Sequence, residues 1–149
     1  MSILFPISFW KTDGEVPPPE ESQIQVQLQQ IAPAAYRVGF ALNPEQPPIA
    51  LAQAQFAFVN TEGEVPSLVA GFGVEGSPFQ DWEASLDPEA GGLITAGEAI
   101  PLLEGEPTEA FDLQYEGDAV NLSGLNPEFP TLFVDQESQI LTYDLVIIE

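Results

Sequence analysis

Ser22-Gln23-Ile24-Gln25-Val26-Gln27-Leu28-Gln29-Gln30, SQIQVQLQQ, alternates aliphatic and amide side chains without a break from Gln23 to Gln29. A period of two puts Ile24, Val26 and Leu28 on one side of an extended backbone and Gln25, Gln27 and Gln29 on the other, whereas a helix would mix them. The stretch therefore predicts a strand with one buried face. Its other face is polar but uncharged, in a chain of 149 residues with 24 carboxylates, two cations (Lys11 and Arg37) and a formal net charge of −22. That contrast sets the functional question.

The same period recurs along the chain. Tyr36, Val38, Phe40 and Leu42 alternate with Arg37, Gly39 and Ala41; Phe111, Leu113 and Tyr115 alternate with Asp112, Gln114 and Glu116. Leu141, Tyr143, Leu145 and Ile147 repeat it near the end, with shorter candidates over 54–59, 68–74, 93–95, 119–122 and 131–134. Ile49–Phe58, IALAQAQFAF, has helix-compatible Ala and Gln but ends in the β-favouring Phe56-Ala57-Phe58-Val59, and is read as strand. Fifteen Pro and twelve Gly leave few stretches long enough for a helix. The expectation is an all-β fold: an antiparallel β-sandwich or barrel-like domain of about eight to ten short strands with little or no helix.

Two turn signatures recur. Thr12-Asp13-Gly14-Glu15-Val16-Pro17 matches Thr61-Glu62-Gly63-Glu64-Val65-Pro66, with Glu104-Gly105-Glu106-Pro107 a shorter version. Leu42-Asn43-Pro44-Glu45 matches Leu86-Asp87-Pro88-Glu89 and Leu125-Asn126-Pro127-Glu128. A decayed repeat of some 40 to 50 residues would explain them. So would turn chemistry used three times over, and the poor match of the intervening strands favours turns.

Composition excludes several functions. Nucleic-acid binding needs basic side chains to displace phosphate counterions, and an anionic membrane repels the same acidic surface; neither partner is expected. There is no Cys and no His. Thiolate nucleophiles, Cys-based metal sites, the commonest general base and every Ser-His or Cys-His pair are therefore missing. No apolar run approaches the roughly 18 residues a membrane helix requires. MSILFPISFWKT lacks a basic leader, and Pro6 interrupts its apolar stretch, so no secretion signal is read and use in the cytoplasm is expected.

The chain divides into residues 1–20, an N-terminal strand or arm with a Pro-rich spacer, and residues 21–149, a single sandwich-like domain. Ile3, Phe5, Ile7 and Phe9 form one face of the first segment; Leu4, Pro6 and Trp10 lie on the other. Both faces are apolar and need cover, and Pro6 restricts the segment to a sheet edge or a bulge. Asp13-Gly14 forms a turn, and Pro17-Pro18-Pro19 makes a stiff spacer after it. The segment is either an arm that docks on a neighbouring subunit or the first strand of its own sandwich on a long connection.

Carboxylates are the only abundant reactive groups. Pairs drawn from Asp81, Glu83, Asp112 and Glu116 would suit glycoside hydrolysis, but 24 acids supply such pairs by chance. Asp135-Gln136-Glu137 and Asp87-Pro88-Glu89 are read as turns, lacking the ligand number and spacing of a calcium loop. No catalytic residue, metal or cofactor is assigned. Trp82, flanked by Asp81 and Glu83, is the one candidate for ligand contact, as a carbohydrate platform. The amides of Gln25, Gln27 and Gln29 keep a sheet face polar without adding to self-repulsion, and interface cores are depleted in charge. Arg37 belongs beside them, with acids on every side and the geometry favoured in contacts. The expected function is therefore non-enzymatic: a structural protein that assembles with other protein subunits, using Gln25, Gln27, Gln29 and Arg37 with the apolar Ile3, Phe5, Ile7, Phe9 and Trp10. The architecture suggests a virus particle, as a capsid decoration or a tail or baseplate component, by analogy alone. The alternative is a monomeric module that binds a polysaccharide or another neutral ligand through Trp82.

Overall fold

The computed structural model describes residues 22–148. Its strands are β1 (Ile24–Ala32), β2 (Ala35–Leu42), β3 (Ala50–Asn60), β4 (Leu68–Gly73), β5 (Glu83–Asp87), β6 (Gly92–Pro101), β7 (Thr108–Tyr115), β8 (Leu122–Leu125), β9 (Leu132–Asp135) and β10 (Tyr143–Ile148). A single 3₁₀ turn, Pro78–Asp81, is the only helical element among the described residues. The fold is all-β, two sheets packed face to face. The first has the strand order β10-β1-β2-β7-β4 and the second β5-β6-β3-β8, with β9 also paired to β3. The long β3 is shared on one side by two short strands: β9 along its first half and β8 along its second. The proposed arm and spacer lie outside the described residues.

Alternation decides which face goes inward. Ile24, Val26 and Leu28 of β1, Val38 and Phe40 of β2, and Phe111 and Leu113 of β7 meet Phe56 and Phe58 of β3, Leu93 of β6 and Phe133 of β9, all at 2% exposure or less. Phe40 sits at the centre, 5.5 Å from Phe133, 5.7 Å from Phe79 and 6.4 Å from Phe111 between ring centroids. Such offset and edge-on pairs add roughly 0.5–1.5 kcal/mol each beyond the area they bury. The two sheets are also tied at one end by Tyr36 of β2. Its hydroxyl donates to the Val120 carbonyl (2.9 Å) and accepts from the Leu122 amide (3.0 Å).

Four features differ from the sequence expectation. First, β1 and β10 pair in parallel, Ile24 opposite Tyr143 through Gln29 opposite Ile148. The chain re-enters the sheet beside the start of β1, where the Gln23 amide donates to the Thr142 carbonyl (3.1 Å), so the last strand runs with the first. Second, β5 is a strand where no strand is expected. It is an edge strand almost wholly exposed, held by its backbone ladder to β6, so its side chains show no alternation. Third, β6 runs on to Pro101, well past the short candidate at 93–95. Fourth, the candidate at 119–122 shifts to Leu122–Leu125, because the Val120 amide is taken by the Pro33 carbonyl (2.8 Å) outside any ladder.

Among the described residues the recurring motifs lie in turns. Gly63 has φ +77°, and the Asn60 side chain accepts from the amides of Glu62 and Glu64, both at 2.9 Å. Asn126 accepts from the Glu128 amide (2.9 Å), and Asp87 from that of Ala90 (3.3 Å). Asp135 likewise accepts from the amides of Glu137 and Gln139, so its carboxylate closes its own turn.

Candidate interaction face

The register places the glutamines in rows across the outer face of the five-stranded sheet. Gln25 lies between Asp144 of β10 and Ala41 of β2; Gln27 between Val146 and Gly39; Gln29 between Ile148 and Arg37. Residues opposite one another across a ladder share a face. The Gln27 amide donates to the Gln25 side-chain oxygen at 2.7 Å, and both are half-buried, while Gln29 is exposed. This bond links the two amides along the strand, and they keep the surface polar at no cost in charge.

Arg37 completes the face from β2. Its Nε and Nη2 donate to the two carboxylate oxygens of Asp112 at 2.7 and 3.1 Å, and its Nη1 to Glu109 at 2.9 Å. Asp112 is its direct cross-strand partner on β7, so the fork reaches both carboxylate oxygens. These bonds, Asp112's first, raise the guanidinium pKa above the already high arginine value, against a smaller opposing effect of burial. Between these groups the surface dips. Gly39 supplies no side chain, and an open hollow of about 340 Å³ forms among Gln27, Gln29, Arg37, Gly39, Pro107 and Glu109. A Cβ at Gly39 would stand 3.1 Å from the Thr108 carbonyl oxygen, so even alanine is tight there.

The wider charge distribution isolates this face. β1, β2, β3, β4 and β8 carry no carboxylate, and most acids stand in the turns at the ends of the sandwich. On the outer rows of β7 the two acids, Glu109 and Asp112, are the pair held by Arg37. The molecule is therefore an acidic rim around a sheet surface whose few carboxylates are Glu109 and Asp112, held by Arg37, and Asp144 beside Gln25.

Sequence reasoning brought Gln25, Gln27, Gln29 and Arg37 to one face, and the structure places them there. It missed a second amide pair. Gln53 and Gln55 of β3 lie on the outer face of the other sheet, Gln55 between Ile94 and Leu132 and Gln53 between Ala96 and Val134. The signal was available in Ala52-Gln53-Ala54-Gln55-Phe56, the same alternation as in β1. Ile3, Phe5, Ile7, Phe9 and Trp10 lie outside the described residues.

Trp82 corrects the ligand-platform expectation. Its ring is 6% exposed, meets Phe79 edge-on at 4.9 Å, and donates through Nε1 to the Glu98 carbonyl at 3.0 Å. Gly97 leaves the space the indole occupies, since a Cβ there would overlap the ring. No face of the indole is open for a sugar to stack on, although Asp81 and Glu83 beside it are exposed. The cause is the turn Pro78–Asp81, which folds Phe79 and Trp82 inward as a plug between the sheets.

Compared with known proteins, the chain matches no family model and no curated sequence. Among the described residues no helix is long and apolar enough to cross a membrane.

Proposed function

We propose that this protein is a structural subunit rather than a catalyst, and that it packs against other protein subunits through the outer face of β1 and β2. The observation that carries the reading is the uncharged surface over Gln25, Gln27, Gln29, Gly39 and Ala41 in a chain of net charge −22. Two like-charged copies repel wherever their acidic rims meet. Only a face without surplus charge lets them approach, and there the amides can donate and accept across the contact. A virus particle, as shell decoration or tail component, is the setting this architecture suggests by analogy.

Light scattering of the purified protein across a wide concentration range tests the reading: self-association is expected. It should strengthen with salt, because screening weakens rim repulsion while a neutral contact loses little. A protein that stays monomeric at millimolar concentration and high salt would remove the proposal.

A further inference from the structure

β10 ends the five-stranded sheet, and among the described residues no strand pairs with its other side. This edge lacks the usual protection. It has no proline, lysine or bulge, and apart from the single charge of Asp144 its sequence, YDLVII, is apolar, with Val146 and Ile148 on the outer face. Thr142 gives its carbonyl to β1, so Thr142, Asp144 and Val146 turn their backbone groups toward β1. By alternation Tyr143, Leu145 and Ile147 turn theirs to the open side. Their side chains are only half-buried, and Tyr143 and Leu145 close over a tightly packed apolar seam of Val26, Phe56, Phe58, Leu125 and Phe133. The sandwich is thus unfinished along one edge, in backbone bonds and in packing.

We propose that this edge is a strand-docking site whose occupant is the chain's own segment Ile3–Trp10, entering antiparallel to β10. Three independent constraints agree on that arrangement. Pro6 has no N–H, so in an edge strand its position must face away from β10. That leaves Ile3, Phe5, Ile7 and Phe9 to bond β10, and places their four large side chains together on one face, the same face as the half-buried Tyr143, Leu145 and Ile147. On β1, residues whose side chains point inward turn their backbone groups toward β10, as the Ile24 amide does to Thr142. A strand beyond β10 with inward side chains must turn its groups the opposite way, and for L-residues that requires the reverse chain direction. Finally, antiparallel entry brings Trp10 to the start of β10, beside Gln23 and Ser22. From there residues 11–21 need to cross two strand spacings, about 10 Å, and a stiff spacer reaches roughly 34 Å. Within that reach a tethered segment outcompetes a free copy through its millimolar effective concentration.

The docked strand would turn Leu4 and Pro6 outward beside Ile148 and Val146, and Trp10 outward beside Thr142, widening the face that carries Gln25 and Gln27. The docking itself does not depend on assembly and stands or falls separately.

The absence of cysteine makes a cross-link test direct. Pairing that starts at Tyr143 sets Phe9 opposite Tyr143, Ile7 opposite Leu145, and Ser8 opposite Asp144 as an outward, non-hydrogen-bonded pair with the close Cα spacing a disulfide accepts. Full-length protein with Ser8→Cys and Asp144→Cys should oxidise to a monomer-sized, internally bridged species, while Ser8→Cys with Gln114→Cys should not. In the unmodified chain the amides of Tyr143, Leu145 and Ile147 should exchange roughly a hundredfold slower than unstructured amides, and Ile7→Asp should return at least tenfold of that. Bridges formed only between copies, or unprotected amides at those three positions, would overturn the proposal.

Discussion

The two outer faces of the sandwich are built on the same device and end up different. On the five-stranded sheet, Gln25, Gln27 and Gln29 stand among Gly39, Ala41 and Val146, with the acids of β7 held by Arg37. On the other sheet, Gln53 and Gln55 stand among the branched residues Ile94, Leu132 and Val134, and Glu83 and Glu98 flank them without a cation. The Gln55 amide is engaged by the Pro130 carbonyl of its own chain at 3.1 Å. Neutral amides alone therefore do not make a contact face. What distinguishes the first face is the cation set between its β7 acids and a hollow; the second is more apolar and bordered by carboxylates that no cation among the described residues meets.

The largest perturbation tests what both faces share. Phe40→Ala removes the ring that touches aromatic residues from both sheets and should cost about 3–5 kcal/mol in urea unfolding. A loss under 1 kcal/mol would mean the faces are not supported by one core.

Next comes Arg37→Ala, which leaves Asp112 and Glu109 without their cation on the first face alone. A loss of about 1–3 kcal/mol is expected from the charged bonds, together with weaker self-association. Unchanged association would show that charge quenching plays no part in the contact.

One change made on each face separates them further. Gln27→Glu should weaken self-association about tenfold, near 1.4 kcal/mol, while Gln55→Glu leaves it within twofold, both read by sedimentation. Equal effects would show that the faces are equivalent. Changing Gln25 and Gln27 to Glu together is less clean, since their side chains touch and two carboxylates there would strain the fold as well.

The smallest effect concerns two tyrosines whose rings meet edge-on at 6.4 Å. Tyr36 has both its hydroxyl bonds; the buried Tyr115 hydroxyl has no partner. Tyr115→Phe should therefore be neutral or stabilising by up to about 1 kcal/mol at pH 7. Burial, and secondarily the neighbouring Tyr36, push the Tyr115 pKa above its ordinary value of 10.0. A raised folded pKa means its contribution is complete below about pH 10 and fades as pH climbs beyond it. Plotted against pH, the melting temperatures of wild type and Tyr115→Phe should keep a constant gap up to about pH 10 and diverge above it, with the variant the more stable; a gap that stays constant throughout would contradict the burial.

The legible parts were those written in local period. β1, β2 and β7 alternate large apolar with polar or small residues because one face of each must be dry, and that signal survives whatever the strand pairs with; β10 shows it only over Tyr143-Asp144-Leu145. β5 was not legible, since an exposed edge strand is held by backbone bonds that any side chain permits. Trp82 misleads for a related reason: its flanking acids describe the rim, while the turn at Pro78 decides that the ring points inward.

From its sequence alone this chain is an all-β, acidic protein without thiol or imidazole chemistry, carrying an amide strip in place of charge on β1. Only the tertiary structure decided that β10 runs parallel to β1, that Arg37 meets Asp112 and Glu109, that Gly39 opens a hollow beside Gln27, and that a second amide pair lies on the opposite face. Periodicity reports which side of a strand is buried. Which strands become neighbours depends on contacts between residues far apart in the chain, and no local pattern encodes them.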